Sequence, residues 1–256
     1  MAPLPDKTQA HVDRLLGSKV GSLSVLARLA EGRFSTFYRA MRENGEQVMI
    51  EVLRLGVTER ASEVGSVDAV GCPGVIATLA FGTLPDGRSY RVLRTFVGES
   101  LEERLQSRGP MSPVEAITLL ARVSEVLQVT HAWAIFHGSL EASTVRVAPD
   151  GAVQLLDFGL WRTPPSASVD LKALGTLGWF LLRGEAGADV VVPGSVSGLL
   201  NDLQADRLAD MPAAHRALMA VNADLARSAT SSVNPPAAMN WSAPAPVSRG
   251  RRLLTP

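Results

Sequence analysis

Between residues 23 and 98, apolar and polar positions follow the short alternation of half-buried strands, in runs broken by turn residues. LSVLARL (23–29) and FSTFYRA (34–40) flank Ala30-Glu31-Gly32-Arg33, and Glu43-Asn44-Gly45 leads into the β-rich run Gln47–Leu53. ATLAFGT (77–83) and SYRVLRTF (89–96) flank Pro85-Asp86-Gly87, where Pro and Gly suit a tight reversal. This pattern predicts an antiparallel sheet of about five strands joined by hairpins. Thr58–Val70 has helical potential, but it is short and interrupted by Gly65.

After Gly98 the period changes to that of helices. Ser100 with Glu103, and Ser112 with Glu115, have capping-box spacing, the second with Pro113 at the first helical position, where a missing N–H costs little. Ile117, Leu120, Ala121, Ser124 and Leu127 then recur on one helical face. Val145–Val147 and Val153–Leu155, joined through Pro149-Asp150-Gly151, form a hairpin between helices, and Val169–Arg183 is a buried helix. Weaker helices cover about 197–227, and from Ser228 the chain is rich in Ser, Pro and Ala, the composition of a disordered tail. The expected division is therefore an N-terminal extension (1–21), a β lobe (22–98), a helical lobe (99–227) and a tail (228–256).

Composition narrows the function classes. With 256 residues and 46% hydrophobic content the chain has ample apolar sequence for a core, and 25 basic residues balance 25 acidic ones. No nucleic-acid or membrane-surface partner is expected from that balance. Cys72 is the sole cysteine, which excludes an internal disulfide and a multi-thiolate metal site and points to a cytoplasmic location. The start has no signal-peptide core, and the apolar stretch Leu174–Leu182 falls far short of the roughly 20 residues that span a bilayer.

Seven segments, in order, resemble the eukaryotic-type Ser/Thr protein kinases of bacteria. LARLAEGRFSTFYRA is similar to the glycine-rich loop, VMIEVLR to the Val-Ala-Ile-Lys strand, and GCPGVIATLAFGTLPDG to the segment after the C-helix. YRVLRTFVGESLEERL is similar to the gatekeeper and hinge, HGSLEASTVRV to the catalytic loop, LLDFGLWR to the magnesium loop, and VDLKALGTLGWFLLRGE to the helix that anchors the helical lobe. The resemblance, over residues 22–227, implies an α+β, two-lobed protein-kinase-like fold with an antiparallel β N-lobe and a mainly helical C-lobe.

It also implies where a nucleotide cleft lies: Gly32 and Arg33 in the loop, Leu93 as gatekeeper, Thr95 and Val97 in the hinge, and Asp157 as the possible magnesium ligand. Several positions depart from the family. Glu51 stands for the phosphate-binding lysine, Ser139 for the catalytic aspartate, Glu141 for the loop lysine and Thr144 for the metal-binding asparagine, while Ala30 and Ser35 replace two loop glycines. A serine hydroxyl does not ionise near neutral pH, so Ser139 lacks the proton-accepting carboxylate of the catalytic loop. Only ten residues separate Gly159 from Asp170, an abbreviated activation segment, and the ion-pair glutamate of the C-helix, Glu59 or Glu63, would face Glu51 rather than a lysine.

These departures lead to the expectation of a pseudokinase: not an enzyme, with no required cofactor and at most weak ATP or magnesium binding, acting on a protein partner as scaffold or allosteric regulator. The alternatives are an ATP-sensing switch and an atypical Ser/Thr kinase.

Overall fold

The computed structural model describes residues 15–31, 35–55, 71–96, 98–158, 164–184, 187 and 189–231. The expected short helix at 58–70, with Glu59 and Glu63, lies outside them, as do Gly32, Arg33 and Val97.

The N-terminal half is a six-stranded antiparallel sheet rather than a five-stranded one. Its strands are β1 (Lys19–Val20), β2 (Leu23–Glu31), β3 (Ser35–Met41), β4 (Gln47–Leu53), β5 (Thr78–Thr83) and β6 (Ser89–Arg94), in the order β1-β2-β3-β4-β6-β5. The extra strand, β1, is two residues long and pairs Lys19 with Ser24 and Val20 with Leu23, so no alternating run announces it. Strand alternation gives the sheet two apolar faces. Val25, Tyr38, Ala40, Val48, Ile50, Val52 and Val92 form a cluster on one face, while Phe37, Met49 and Leu93 are buried on the other.

The C-terminal half holds a three-stranded sheet, β7 (Glu99–Ser100), β8 (Val145–Val147) and β9 (Val153–Leu155), and five helices. The helices are α1 (Leu101–Arg108), α2 (Pro113–His131), α3 (Ala167–Arg183), α4 (Gly194–Gln204) and α5 (Met211–Ser231). Both capping boxes form as their spacing predicts: the Ser100 and Ser112 hydroxyls accept from the N–H groups of Glu103 and Glu115, whose carboxylates accept from the serine N–H groups in return. Helix α5 carries regular structure four residues past the expected boundary at 227, with Leu225 packed on the core.

Helix α3 runs through the centre of the helical lobe. Leu171, Leu174, Leu177, Leu181 and Leu182 are buried, and Gly175 and Gly178 let α4 approach closely. A Cβ on Gly178 would lie 2.4 Å from a Leu200 methyl carbon and 2.8 Å from one of Leu120. Two contacts fasten the lobes through the backbone. The Gly74 carbonyl accepts from Leu155 N–H at 2.8 Å, and Ile76 N–H donates to the Leu155 carbonyl at 3.3 Å. Gly98, at the start of the helical half, has φ 126° and lies so close to β8 that a Cβ would stand 2.2 Å from the Val147 carbonyl oxygen.

Gly178→Val is expected to lower stability by about 1–3 kcal/mol, because the added methyls must push α4 and α2 away from α3. Urea unfolding followed by circular dichroism measures it; an unchanged midpoint would refute close α3–α4 packing as the reason for glycine here.

Candidate functional site between the lobes

The site begins with a strand register. Glu51 on β4 pairs directly with Arg91 on β6, and Met49 pairs with Leu93, so all four side chains share the face of the sheet turned toward the helical lobe. A glutamate in the middle of a buried strand needs a cation, and Arg91 supplies it. Arg91 Nε donates to Glu51 Oε2 at 2.7 Å, and a second guanidinium nitrogen pairs with the same oxygen. The side chains are 3% and 0% exposed, which makes this a buried ion pair.

Arg91 also reaches the helical lobe. It donates to the Phe158 carbonyl at 3.2 Å and to Asp157 Oδ1 at 3.3 Å. Asp157 is held in a left-handed backbone conformation, φ 68°, uncommon for a residue with a side chain. Burial, followed by the neighbouring Glu51 charge, pushes the Asp157 carboxyl well above its ordinary value, with Arg91 offsetting part of the rise. Glu51 Oε1 is buried with no hydrogen-bond partner among the described residues. The result is one guanidinium clasped between two acids, one on each lobe.

Beside the clasp, Phe37, Met49, Ile76, Leu93 and Leu156 form one buried cluster with Phe96 packed at its edge. The first four belong to the β half, whereas Leu156 follows β9, so this apolar core crosses from one lobe to the other. On the helical side Arg146 of β8 sets its guanidinium 4.6 Å from the Phe96 ring centroid and pairs with Glu103 at 2.8 Å. Burial draws the Arg146 guanidinium below its ordinary value, and the charges of Glu103 and Asp157 work against that.

The loop that follows α2 is organised by Asp170, at the start of α3. Its carboxylate accepts from the N–H groups of His137 and Gly138, each at 2.8 Å, and contacts His131 Nε2 at 2.8 Å. Burial opposes ionisation of Asp170, but the His131 hydrogen bond, the His137 charge and the two backbone donors together hold its pKa below the ordinary value. His137 itself is fully buried, with its ring centroid 4.5 Å from that of Phe158. Burial lowers its pKa from 6.5 to about 4, which suits the core role that its position suggests. Ser139 Oγ lies 3.4 Å from the Asp157 carbonyl, and Ser143 Oγ donates to Glu141 at 2.7 Å. The Thr144 hydroxyl donates to the Glu141 carbonyl at 2.9 Å and accepts from Glu141 N–H, closing the loop on itself.

Of the residues singled out in the sequence, Glu51 and Asp157 meet at Arg91, and Leu93 joins the apolar cluster beside them. Ser139 and Thr144 flank the loop below, and Thr95 is exposed on the connector. Sequence reasoning missed Arg91, Arg146 and the apolar cluster. One signal was present: Phe37 and Met49 occupy the Val and Ala positions of the G-x-G-x-x-G-x-V and V-A-I-K strings, and each is larger than the residue it replaces.

Curated proteins of known name share this sequence pattern. The chain is 30% identical to the serine/threonine-protein kinase pkn2 of Myxococcus xanthus over 61% of its own length and 20% of that protein's. It is 28% identical to PknL of Mycobacterium tuberculosis (57% of this chain, 38% of PknL) and 25% identical to the probable kinase zyg-1 of Caenorhabditis elegans (64% and 24%). The fold is protein-kinase-like. The chain spans only about a fifth to two fifths of the length of these relatives, and no protein-family model matches it.

The matches correct one expectation. The prediction that the chain is not an enzyme is overturned by relatives that are named serine/threonine-protein kinases. Its weakness was to infer lost turnover from substituted motif positions, when a neighbouring group can take over a missing role.

Kinases use ATP and magnesium, and the arrangement described does not fit that pair as it stands. The Asp157 carboxyl is engaged by Arg91 and shifted toward its protonated form, the Thr144 hydroxyl is turned to the Glu141 backbone, and Leu93 is packed among apolar side chains. Among the described residues no three His, Cys, Asp or Glu side chains cluster as metal ligands, and no helix is long and apolar enough to cross a membrane.

Two outcomes follow from this geometry. Arg91→Met leaves two acids buried without their cation and is expected to cost about 3–5 kcal/mol, whereas Glu51→Met with Arg91→Met recovers most of that loss; denaturant unfolding of both variants decides it. For His137 the sign follows from its lowered pKa. Above pH 6.5 the folded and unfolded forms are both neutral; as pH falls toward 4 the unfolded chain gains a proton that the folded chain excludes, so stability drops. Relative to His137→Phe, the wild type should lose up to roughly 1.4 kcal/mol per pH unit across that window. Parallel pH profiles would argue against a neutral, buried His137.

Proposed function

We propose that the chain is a protein-binding signalling protein of the cytoplasm, a scaffold or allosteric regulator that presents two kinase-like lobes fastened to each other by its own side chains. The observation that supports this reading is the Arg91 clasp with the apolar cluster beside it. Phe37, Met49, Leu93 and Leu156 pack together where the family resemblance puts a nucleotide cleft, and Arg91 spends its donors on Glu51, Asp157 and the Phe158 carbonyl. A ligand that needs Asp157 has to compete with the buried Arg91 ion pairs. On this reading no cofactor is required, and ATP or magnesium binds weakly.

A second reading, Ser/Thr phosphotransfer, is favoured by the names of the relatives. It requires the apolar cluster to open and Asp157 to exchange Arg91 for metal.

The readings separate in a paired experiment on the full chain. Calorimetric titration with Mg·ATP is expected to give a dissociation constant in the millimolar range or weaker, and Phe37→Val with Met49→Ala should tighten it by making room. Micromolar affinity of the wild type, accompanied by phosphate transfer to a generic acceptor protein at about 1 s⁻¹ or faster, would replace the binding role with the second reading. The binding role itself is tested by quantitative co-purification from the cells that make the protein. A protein retained by the wild type and released by Arg91→Met is expected; if no protein distinguishes the two, the role proposed here is wrong.

A further inference from the structure

Oxygen groups converge on the Arg91 guanidinium from both halves of the chain. Strand β4 supplies Glu51 Oε2, which accepts from Arg91 Nε at 2.7 Å. The segment after β9 supplies Asp157 Oδ1, at 3.3 Å from Nη2, and the Phe158 carbonyl, at 3.2 Å from Nη1. Nη2 also pairs with Glu51 Oε2, so one charged N–H group stands between an oxygen of each acid. The second Glu51 oxygen, Oε1, is buried and has no hydrogen-bond partner among the described residues. Asp157, with 10% of its side chain exposed, is the acid that solvent reaches.

Two carboxylates and a carbonyl, with water completing the shell, make an ordinary ligand set for Mg²⁺ or Mn²⁺, hard cations that take oxygen donors. Arg91 answers the same field in another way. Its guanidinium is always charged, and the strand register that sets Arg91 opposite Glu51 fixes it to the site. An ion from solution has to be captured and partly dehydrated, and Mg²⁺ gives up water reluctantly. Arg91 arrives with the chain as it folds. One guanidinium offsets the charge of one acid, whereas a divalent ion offsets two, and Glu51 Oε1 is the oxygen that Arg91 leaves unused.

We infer that Arg91 is the resident cation of this site, standing where Glu51, Asp157 and the Phe158 carbonyl would otherwise hold a divalent metal, and that its presence keeps the metal out. The oxygen donors are retained; their centre is taken. The fastening of the lobes through Arg91 is thus insensitive to divalent cations, and one substitution makes it depend on them. The inference goes beyond the binding role proposed above and does not rest on it, because Arg91 excludes a metal whether or not a partner binds.

The test is a titration of the full chain with Mn²⁺ alone at about pH 8, where protons compete least for the acids. Free Mn²⁺ is counted from its electron paramagnetic resonance signal. Arg91→Gln is expected to bind Mn²⁺ about tenfold tighter than the wild type, and Mn²⁺ should raise its melting temperature while leaving that of the wild type unchanged. Adding Asp157→Asn to Arg91→Gln should abolish both gains. Arg91→Met is carried in parallel: a variant that is unfolded without metal should recover its far-ultraviolet spectrum with Mn²⁺, and failure of both variants to fold in its presence would overturn the inference. Variants that bind no better than the wild type would also overturn it, as would gained binding that survives Asp157→Asn, which places the ion elsewhere. Tight binding by the wild type through Asp157 would overturn it from the other side, since Arg91 would then exclude nothing. Nucleotide and partner are absent from this titration, so its failure leaves the co-purification result, and with it the binding role, untouched.

Discussion

Arg91 is a cation with almost no access to water, and its charge is tolerable only because Glu51 and Asp157 close around it. The pair partners come from different halves of the chain, so the interaction that makes the β sheet electrically acceptable also joins it to the helical lobe. Backbone bonds from Gly74 and Ile76 to Leu155 run alongside, and the apolar cluster from Phe37 to Leu156 packs beside them. Removing any one of these would expose the others to water.

A second anchor operates deeper in the helical lobe. Asp170, the acid near the start of α3, receives the backbone N–H groups of His137 and Gly138 and fixes the loop that carries Ser139. The geometry of that loop therefore follows from burial of α3, whose glycines bring α4 and α2 close. Chemistry at the loop and packing of the core are coupled through a single carboxylate. Ser139 and Thr144 are held in place by this scaffold, and their hydroxyls face backbone carbonyls of neighbouring loop residues.

Most of the architecture is legible in the sequence. Alternating apolar residues marked β2 to β6, and the serine and glutamate spacings at 100–103 and 112–115 formed the capping boxes they predict. Local rules decide such features: strand period, turn composition and helix caps act within a few residues. β1 escaped because two residues carry no period, and the end of α5 ran past its expected limit because a compositional boundary is not a hydrogen-bonding one.

The site was legible only in outline. The sequence alone determined that an acid, Glu51, sits on a strand, that Asp157 remains in its loop, and that only ten residues separate Gly159 from Asp170. It did not determine the cation between those acids, because Arg91 is forty residues from Glu51 and sixty-six from Asp157. Only strand register brings the first pair together, and only the closing of one lobe on the other brings the second. The same holds for the packing of Phe37 and Met49 against Leu156, side chains that look ordinary in a strand until the face they point to is known. Partners distant in sequence are chosen by packing, and packing is a property of the folded chain.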